Sequence, residues 1–381
     1  MKNTAKLIYT CGPDWFYATG MQVSDPHFLY VDNDGKKHAL IGALEYDIAR
    51  ERSKIDHVYS HEAMKKALGD TPVSVANAVA YLHDKYGAGA VCVAEDFPAF
   101  LLKKLEAEGL DIEVAGGFIF PERMVKSKDE IEKLHAAQIL NECGFARVEE
   151  VLAAAEIGTD NKLMWQGVAL TSEVLQREMN AVLAQGGALH FSAGPICAGG
   201  GQGAVPHEHG HGQLYAHELI VVDSFPQHSN GYYGDLTRTY VKGAASEWQT
   251  KVYNTVLGAQ KLALGLMKPG ADLRKIQVEV VTYFKDAGFA TGVSDDGRYY
   301  GYIHGIGHHI GLTVHDGAMQ RSEAELILEV GHVVTVEPGL YYPKGTHKDG
   351  CGGCRIEDFV AITANGCENL TSLPKDRWVI G

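Results

Sequence analysis

Two aspartates flank the part of the chain where chemistry is first suggested. Asp223 closes an apolar run over residues 219–222, and Asp235 precedes a second run, LTRTYV, with several β-branched residues. Between them lies a turn-rich segment containing Asn230-Gly231, a strong hairpin signal. A hairpin sets the two carboxylates side by side. Carboxylates that close repel, so one is protonated unless a cation sits between them. Oxygen ligands suit a divalent ion such as Mn²⁺, Zn²⁺ or Co²⁺. The alternative is two solvated aspartates at strand ends, and the hairpin alone does not choose.

Further candidates follow. His304, His308, His309 and His315 fall in HGIGHHIGLTVHD, where glycines at 305, 307 and 311 argue against a regular helix. This is therefore not the helical metalloprotease signature, whose histidines sit four apart around a glutamate. Glu337 ends an apolar strand in VVTVEPG, and Glu357 stands at the start of another in RIEDFVAIT. The glycine- and histidine-rich stretch over 188–213 carries His207, His209 and His211 at alternate positions. It reads either as a metal cluster or as a polar loop. Cys351-x-x-Cys354 is a single pair with no partner pair, which favours a glycine-rich turn before the Glu357 strand over a zinc or redox site.

The elements that must position these residues are legible in outline. The chain has 381 residues, enough for two or three domains. Its net charge of −14 opposes nucleic-acid binding. No stretch reads as a bilayer span and none as a signal peptide, and seven scattered cysteines suit a reducing, cytoplasmic setting. Residues 1 to about 120 alternate short strands (28–31, 37–42, 90–93, 112–114) with helical segments (73–86, 98–108), a small α/β unit. Residues 15–20 read as a turn or strand end. Ser127 and Glu130 fit a capping box opening a helix to about residue 155. Further helices are expected within 163–185, over 246–267 and over 272–287. Helices, hairpin, helices and strands in that order predict an α+β domain, an antiparallel sheet with helices packed on one face.

Taken together, GYYGDLTRT, HGIGHHIGL, VEPGLYYP and RIEDFV, with the order Asp, Asp, His, Glu, Glu, resemble the metallopeptidases of family M24, the pita-bread fold. Within it the chain is similar to Xaa-Pro aminopeptidases and prolidases, and more distantly to methionine aminopeptidases. The resemblance implies a pita-bread catalytic domain over 123–381 preceded by a smaller creatinase-like α/β domain over 1–122. It implies Asp223, Asp235, His308, Glu337 and Glu357 as ligands of two divalent metal ions, Mn²⁺ first, with Co²⁺, Zn²⁺ or Fe²⁺ as alternatives. It gives His207 and His315 substrate and transition-state contacts, and Arg355 the support of the metal-site carboxylates. His209 and His211 have no counterpart in the family pattern.

The implied activity is hydrolysis of Xaa-Pro bonds in peptides with proline at the second position, through a hydroxide bridging the two metals. Xaa-Pro aminopeptidase is the first reading and Xaa-Pro dipeptidase the alternative. A creatinase-like or non-catalytic homologue ranks behind both, since none of the five ligands is lost. A homodimer is expected, with no membrane or nucleic-acid partner. Two departures stand out. The family usually shows Asp-x-Gly and a spacing of eleven between the aspartates. This chain has Asp-Ser-Phe-Pro and a spacing of twelve, an extra residue for the turn or a bulge to absorb.

Overall fold

A computed structural model describes residues 4–190, 194–317 and 326–381, so residues 191–193 of the glycine- and histidine-rich loop lie outside the described residues. The chain divides into two compact units, Met1–Arg123 and Met124–Gly381.

The first unit is built on a six-stranded mixed sheet. Its strands are β1 (Ala5–Thr10), β2 (His27–Val31), β3 (Lys37–Leu40), β4 (His57–Tyr59), β5 (Val91–Val93) and β6 (Ile112–Val114), ordered β4-β3-β2-β1-β5-β6. Alternation along the strands sends Leu7, Tyr30 and Val91 to one core and Ile8, Leu29 and Val31 to another. Helices α1 (Pro13–Thr19) and α2 (Tyr46–Arg52) contribute Trp15, Ala18 and Ala49 to the second core. Helices α3 (His61–Leu68), α4 (Val75–Tyr86) and α5 (Ala99–Ala107) contribute Met64, Leu82 and Leu105 to the first. Residues 15–20 are thus mostly helix, not a turn or strand end. Pro13 starts α1 with a preset φ, and Gly20 ends it at φ 70, donating its N–H to Phe16 O.

In the second unit α6 (Lys128–Ala154) opens on the expected capping box. Ser127 Oγ accepts from the Glu130 N–H, and Glu130 Oε2 accepts from the Ser127 N–H at 2.8 Å. Then come α7 (Ser172–Gln185), β7 (Ile196–Gly199), β8 (Leu219–Ser224), β9 (Leu236–Lys242), α8 (Glu247–Leu266) and α9 (Leu273–Asp286). Strands β10 (Val333–Val336), β11 (Gly339–Tyr342), β12 (Gly352–Arg355), β13 (Asp358–Thr363), β14 (Gly366–Asn369) and β15 (Val379–Ile380) complete it. The sheets that frame the site run β7-β8-β9-β15, β10-β13-β14 and β11-β12, and three smaller sheets of two or three short strands lie elsewhere in this unit.

The β8–β9 ladder holds one register from Leu219↔Val241 to Ser224↔Leu236, so the extra residue makes no bulge there. It is taken up in the connection. Asn230-Gly231 does form a turn, with Gly231 at φ 93, but the turn closes a small inner loop in which His228 N donates to Tyr232 O at 2.9 Å. The aspartate-bearing strands pair outside that loop.

One face of this ladder, including Ile220, Val222, Leu236 and Tyr240, packs with α6 and α7 residues such as Phe145, Val148, Leu175 and Met179. On the opposite face Leu219 and Val241 join α8 and α9 residues such as Val256 and Val280, together with Val334, Val336 and Val360. Helices therefore line two cores rather than one face, because the ladder is apolar on both sides at its Leu219–Val241 end. At its other end that second face turns polar: Asp223 pairs with Thr237. No described helix is long and apolar enough to cross a membrane.

Candidate metal centre

Asp223 and Thr237 face the site from paired positions on β8 and β9, and Asp235 stands one residue outside β9. Both aspartates are buried, at 8% and 3% exposure. Arg355 Nη2 binds Asp223 Oδ2 at 2.6 Å, which leaves Asp223 Oδ1 buried with no hydrogen-bond partner among the described residues. The other guanidinium nitrogens are also engaged: Nε donates to Thr237 Oγ1 at 3.0 Å and Nη1 to the Tyr341 hydroxyl at 2.7 Å. Arg355 is thereby locked in place beside the carboxylates.

His308 is carried by irregular chain that pairs with β10. Its carbonyl accepts from Thr335 N at 2.8 Å, and its N–H donates to Thr335 Oγ1 at 3.0 Å. Gly307 makes this approach possible, since a Cβ there would overlap the Thr335 carbonyl. His308 Nδ1 meets the His309 carbonyl at 3.1 Å. A carbonyl only accepts, so Nδ1 holds the proton and Nε2 presents its lone pair. That Nε2 lies 3.5 Å from Asp235 Oδ2 and 3.5 Å from Glu337 Oε1. Glu337 follows β10 directly, tied by its N–H to Ile306 O. Glu357 lies in the two-residue link between β12 and β13. Its N–H donates to Thr237 O at 3.1 Å, and Thr237 Oγ1 donates to its Oε2 at 2.7 Å.

The electrostatics are those of a carboxylate cluster out of water. Desolvation, then Asp223 and Glu337, push Asp235 well above the usual carboxylate range. Glu357 rises likewise, through desolvation, Asp235 and Glu337. Glu337 is raised to about 7, mainly by desolvation, with Arg355 opposing and Asp223 adding. Burial pulls His308 down to about 3, keeping it neutral at pH 7.

The other expected residues separate into two groups. His315 stacks edge-on to His308 with ring centroids 4.2 Å apart, and burial and His207 both lower its pKa. His207 is exposed and contributes to the lowering of both His304 and His315. It follows Pro206, whose carbonyl receives Arg355 Nη1 at 3.5 Å. His209 and His211 serve the loop through their backbones: His209 O accepts from Cys197 N and Gln176 Nε2, and Gln202 binds His211 N and O. Among the described residues these alternating histidines form no metal-holding group, so the cluster reading of the loop falls. Cys351 and Cys354 are free thiols. The first is exposed, and the second is buried in the α8–α9 core with its pKa pushed up to about 12.

Sequence reasoning singled out neither Thr237 nor Tyr341, and left His304 without a role. Tyr341 joins Arg355 to His304, whose Nε2 lies 2.9 Å from its hydroxyl. The one signal for Thr237 is its alternation with Leu236 and Arg238, which puts it on the face of Asp223.

The residues present fit a divalent cation. Asp235, His308 and Glu357 each offer a ligand atom, all within 4.8 Å of one another. The unpartnered Asp223 Oδ1 and the raised carboxylates call for positive charge that Arg355 alone does not supply. Oxygen donors with one neutral imidazole suit such an ion.

Comparisons with known proteins agree. An Xaa-Pro dipeptidase of Pyrococcus furiosus is 29% identical over 98% of this chain and 96% of its own. A Bacillus subtilis protein called an uncharacterized peptidase is 29% identical over 68% of this chain and 65% of its own. Among solved structures, an Xaa-Pro dipeptidase from Bacillus anthracis covers 98% of this chain and 94% of its own, with TM-score 0.81 at 20% identity. An X-Pro aminopeptidase from Thermotoga maritima covers 99% and 98%, with TM-score 0.79 at 21% identity. At those identities the structures show the shared two-domain α+β pita-bread fold. The sequence model described as metallopeptidase family M24 matches residues 132–364, well over half of the chain, and the protein belongs to that family.

Proposed function

We propose that the protein hydrolyses Xaa-Pro peptide bonds as an exopeptidase, with Asp223, Asp235, His308, Glu337 and Glu357 holding two divalent cations, Mn²⁺ foremost. The observation that carries the reading is the group formed by Asp235, His308 and Glu357, whose ligand atoms lie within 4.8 Å of one another, with Glu337 3.5 Å from His308 and the charge of Asp223 felt at both Asp235 and Glu357. Matches to two Pyrococcus proteins named Xaa-Pro dipeptidase, each along 98% of this chain, support the substrate class.

When bound, such cations supply an activated water at neutral pH and polarise the scissile carbonyl. The chain's own groups do the rest. Arg355 fixes Asp223 so that one of its oxygens stays free, and Thr237 aims Glu357. His308 keeps its proton on Nδ1, which would leave Nε2 free to bind a cation. His207 and His315 border the site and offer N–H donors to the substrate carbonyl as it gains negative charge.

The test is a hydrolysis panel on metal-stripped protein with and without Mn²⁺, comparing Xaa-Pro dipeptides, Xaa-Pro-Yaa peptides and Met-Yaa peptides. Mn²⁺-dependent release of Xaa from the first two classes is expected. Their ratio assigns the chain to the dipeptidase or the aminopeptidase type. Turnover of Met-Yaa alone would overturn the reading.

A further inference from the structure

Two side-chain amides, one from each helix layer, reach the backbone where the candidate ligands sit. Gln138 on α6 is fully buried. Its Oε1 accepts from Asp235 N at 3.0 Å, and its Nε2 donates to Asp235 O at 2.9 Å. These are the two bonds a neighbouring strand would make, placed one residue beyond the end of the β8–β9 ladder. The second Nε2 proton goes to Thr371 Oγ1 at 2.8 Å, and that oxygen also accepts from Phe359 N at 3.2 Å. A single glutamine thus links the backbone of Asp235 to the strand that begins just after Glu357.

Gln260 on α8 mirrors this from the other core. It too is fully buried, and its Nε2 donates to Val336 O and to Ile356 O, both at 3.1 Å. Those carbonyls belong to the residues immediately before Glu337 and Glu357. The price of this arrangement is visible: Gln260 Oε1 is buried with no partner among the described residues.

We propose that Gln138 and Gln260 are positioning residues for the metal centre. They fix the backbone at Asp235, Glu337 and Glu357, where the chain leaves or enters a strand and the regular ladder no longer holds it. Preorganisation holds the ligand groups in place until the cation binds. The proposal rests on the metal reading above.

The test is Mn²⁺ binding by titration calorimetry on metal-stripped full-length protein, with thermal unfolding read in EDTA alongside. Gln138→Met and Gln260→Met keep the shape and remove the bonds. Mn²⁺ affinity is expected to fall roughly ten- to hundredfold, the usual effect of removing groups that orient ligands. Gln249→Met is the control, a buried glutamine whose amide binds His217 O and touches none of these residues. It should lose stability and keep its Mn²⁺ affinity. Thr371→Val breaks the same relay without altering α6 and carries the test if Gln138→Met does not fold. Gln260→Glu, which lacks the N–H donors, does so for Gln260. Mn²⁺ affinities within twofold of the unaltered protein's in the 138, 260 and 371 variants would overturn the proposal. Failure of the unaltered protein to take up Mn²⁺ would instead overturn the metal reading itself.

Discussion

At the scale of single residues, the sharpest question is which histidines bind metal and which meet substrate. His308 points a bare Nε2 at Asp235 and Glu337, whereas His315 sets its ring edge-on to that of His308 and His207 acts electrostatically on His315 and His304. His308→Ala and Glu357→Ala are therefore expected to lose metal, measured by elemental analysis after dialysis, while far-UV circular dichroism stays unchanged. His207→Ala and His315→Ala are expected to keep metal and lose turnover. Removing one donor to a developing oxyanion typically costs about 2.7–4 kcal/mol of barrier, on the order of a hundred- to thousandfold in rate. The comparison that decides lies within one loop. His209 and His211 contribute backbone contacts that alanine preserves, so His209→Ala and His211→Ala should stay close to unaltered kcat. Equal effects at 207, 209 and 211 would remove His207 from the site, and metal loss in His207→Ala would make it a ligand. Much of this was legible in the sequence, since residue types and order carried the candidate list. Tyr341, Gln138 and Gln260 were not, because a tyrosine in a strand or a glutamine in a helix has no spacing that sets it apart. Only the fold shows what each one touches.

At the scale of elements, legibility followed how local the determining physics is. The start of α6 was readable because a capping box is closed by residues three apart. Helix α1 was missed because it is a short, seven-residue helix, and its signals, Pro13 and Gly20, also mark turns. The hairpin was readable, since the apolar runs around Asp223 and Asp235 pair as expected, although Asn230-Gly231 turns only an inner loop of the connection between them. The chain around His308 shows the reverse. Its glycines argued against helix, and the structure shows why one is needed: any side chain at 307 would meet the Thr335 carbonyl. Gly307→Ala is expected to displace His308 from β10. Overpacking costs typically 1–3 kcal/mol of stability. The loss of metal affinity should exceed that of Gly265→Ala, an open position near the end of α8 where a Cβ meets nothing within 4 Å. Unchanged Mn²⁺ affinity in Gly307→Ala, measured by the same titration, would mean that the loop seats His308 without the Thr335 contacts.

At the scale of the whole molecule, the site sets how stability responds to pH. Glu337 is raised to about 7, and Asp235 and Glu357 are raised well above their ordinary values, against about 4 for these groups in an unfolded chain. Without a cation the folded state holds these protons more tightly than the unfolded one. Its stability must then fall as pH rises from about 4 through 7. Buried histidines act in the opposite sense. His304, His308 and His309 are lowered to about 3 from an unfolded value near 6.5, so they withdraw stability as pH falls below about 6.5. Above that pH the histidine contribution fades within about one unit while the raised carboxylates continue to act, so metal-stripped protein should melt at a higher temperature at pH 6.5 than at pH 8. With a cation bound the carboxylates are ionised and paired, their folded pKa values fall below the unfolded ones, and acid removes stability instead. The histidine contribution is largely shared by both forms. The gap in melting temperature between Mn²⁺-saturated and EDTA-treated protein should therefore close steadily from pH 8 to pH 5.5, and Glu357→Gln should flatten it. A gap constant across that range would show that cation binding displaces no protons here, and these carboxylates would not be its ligands.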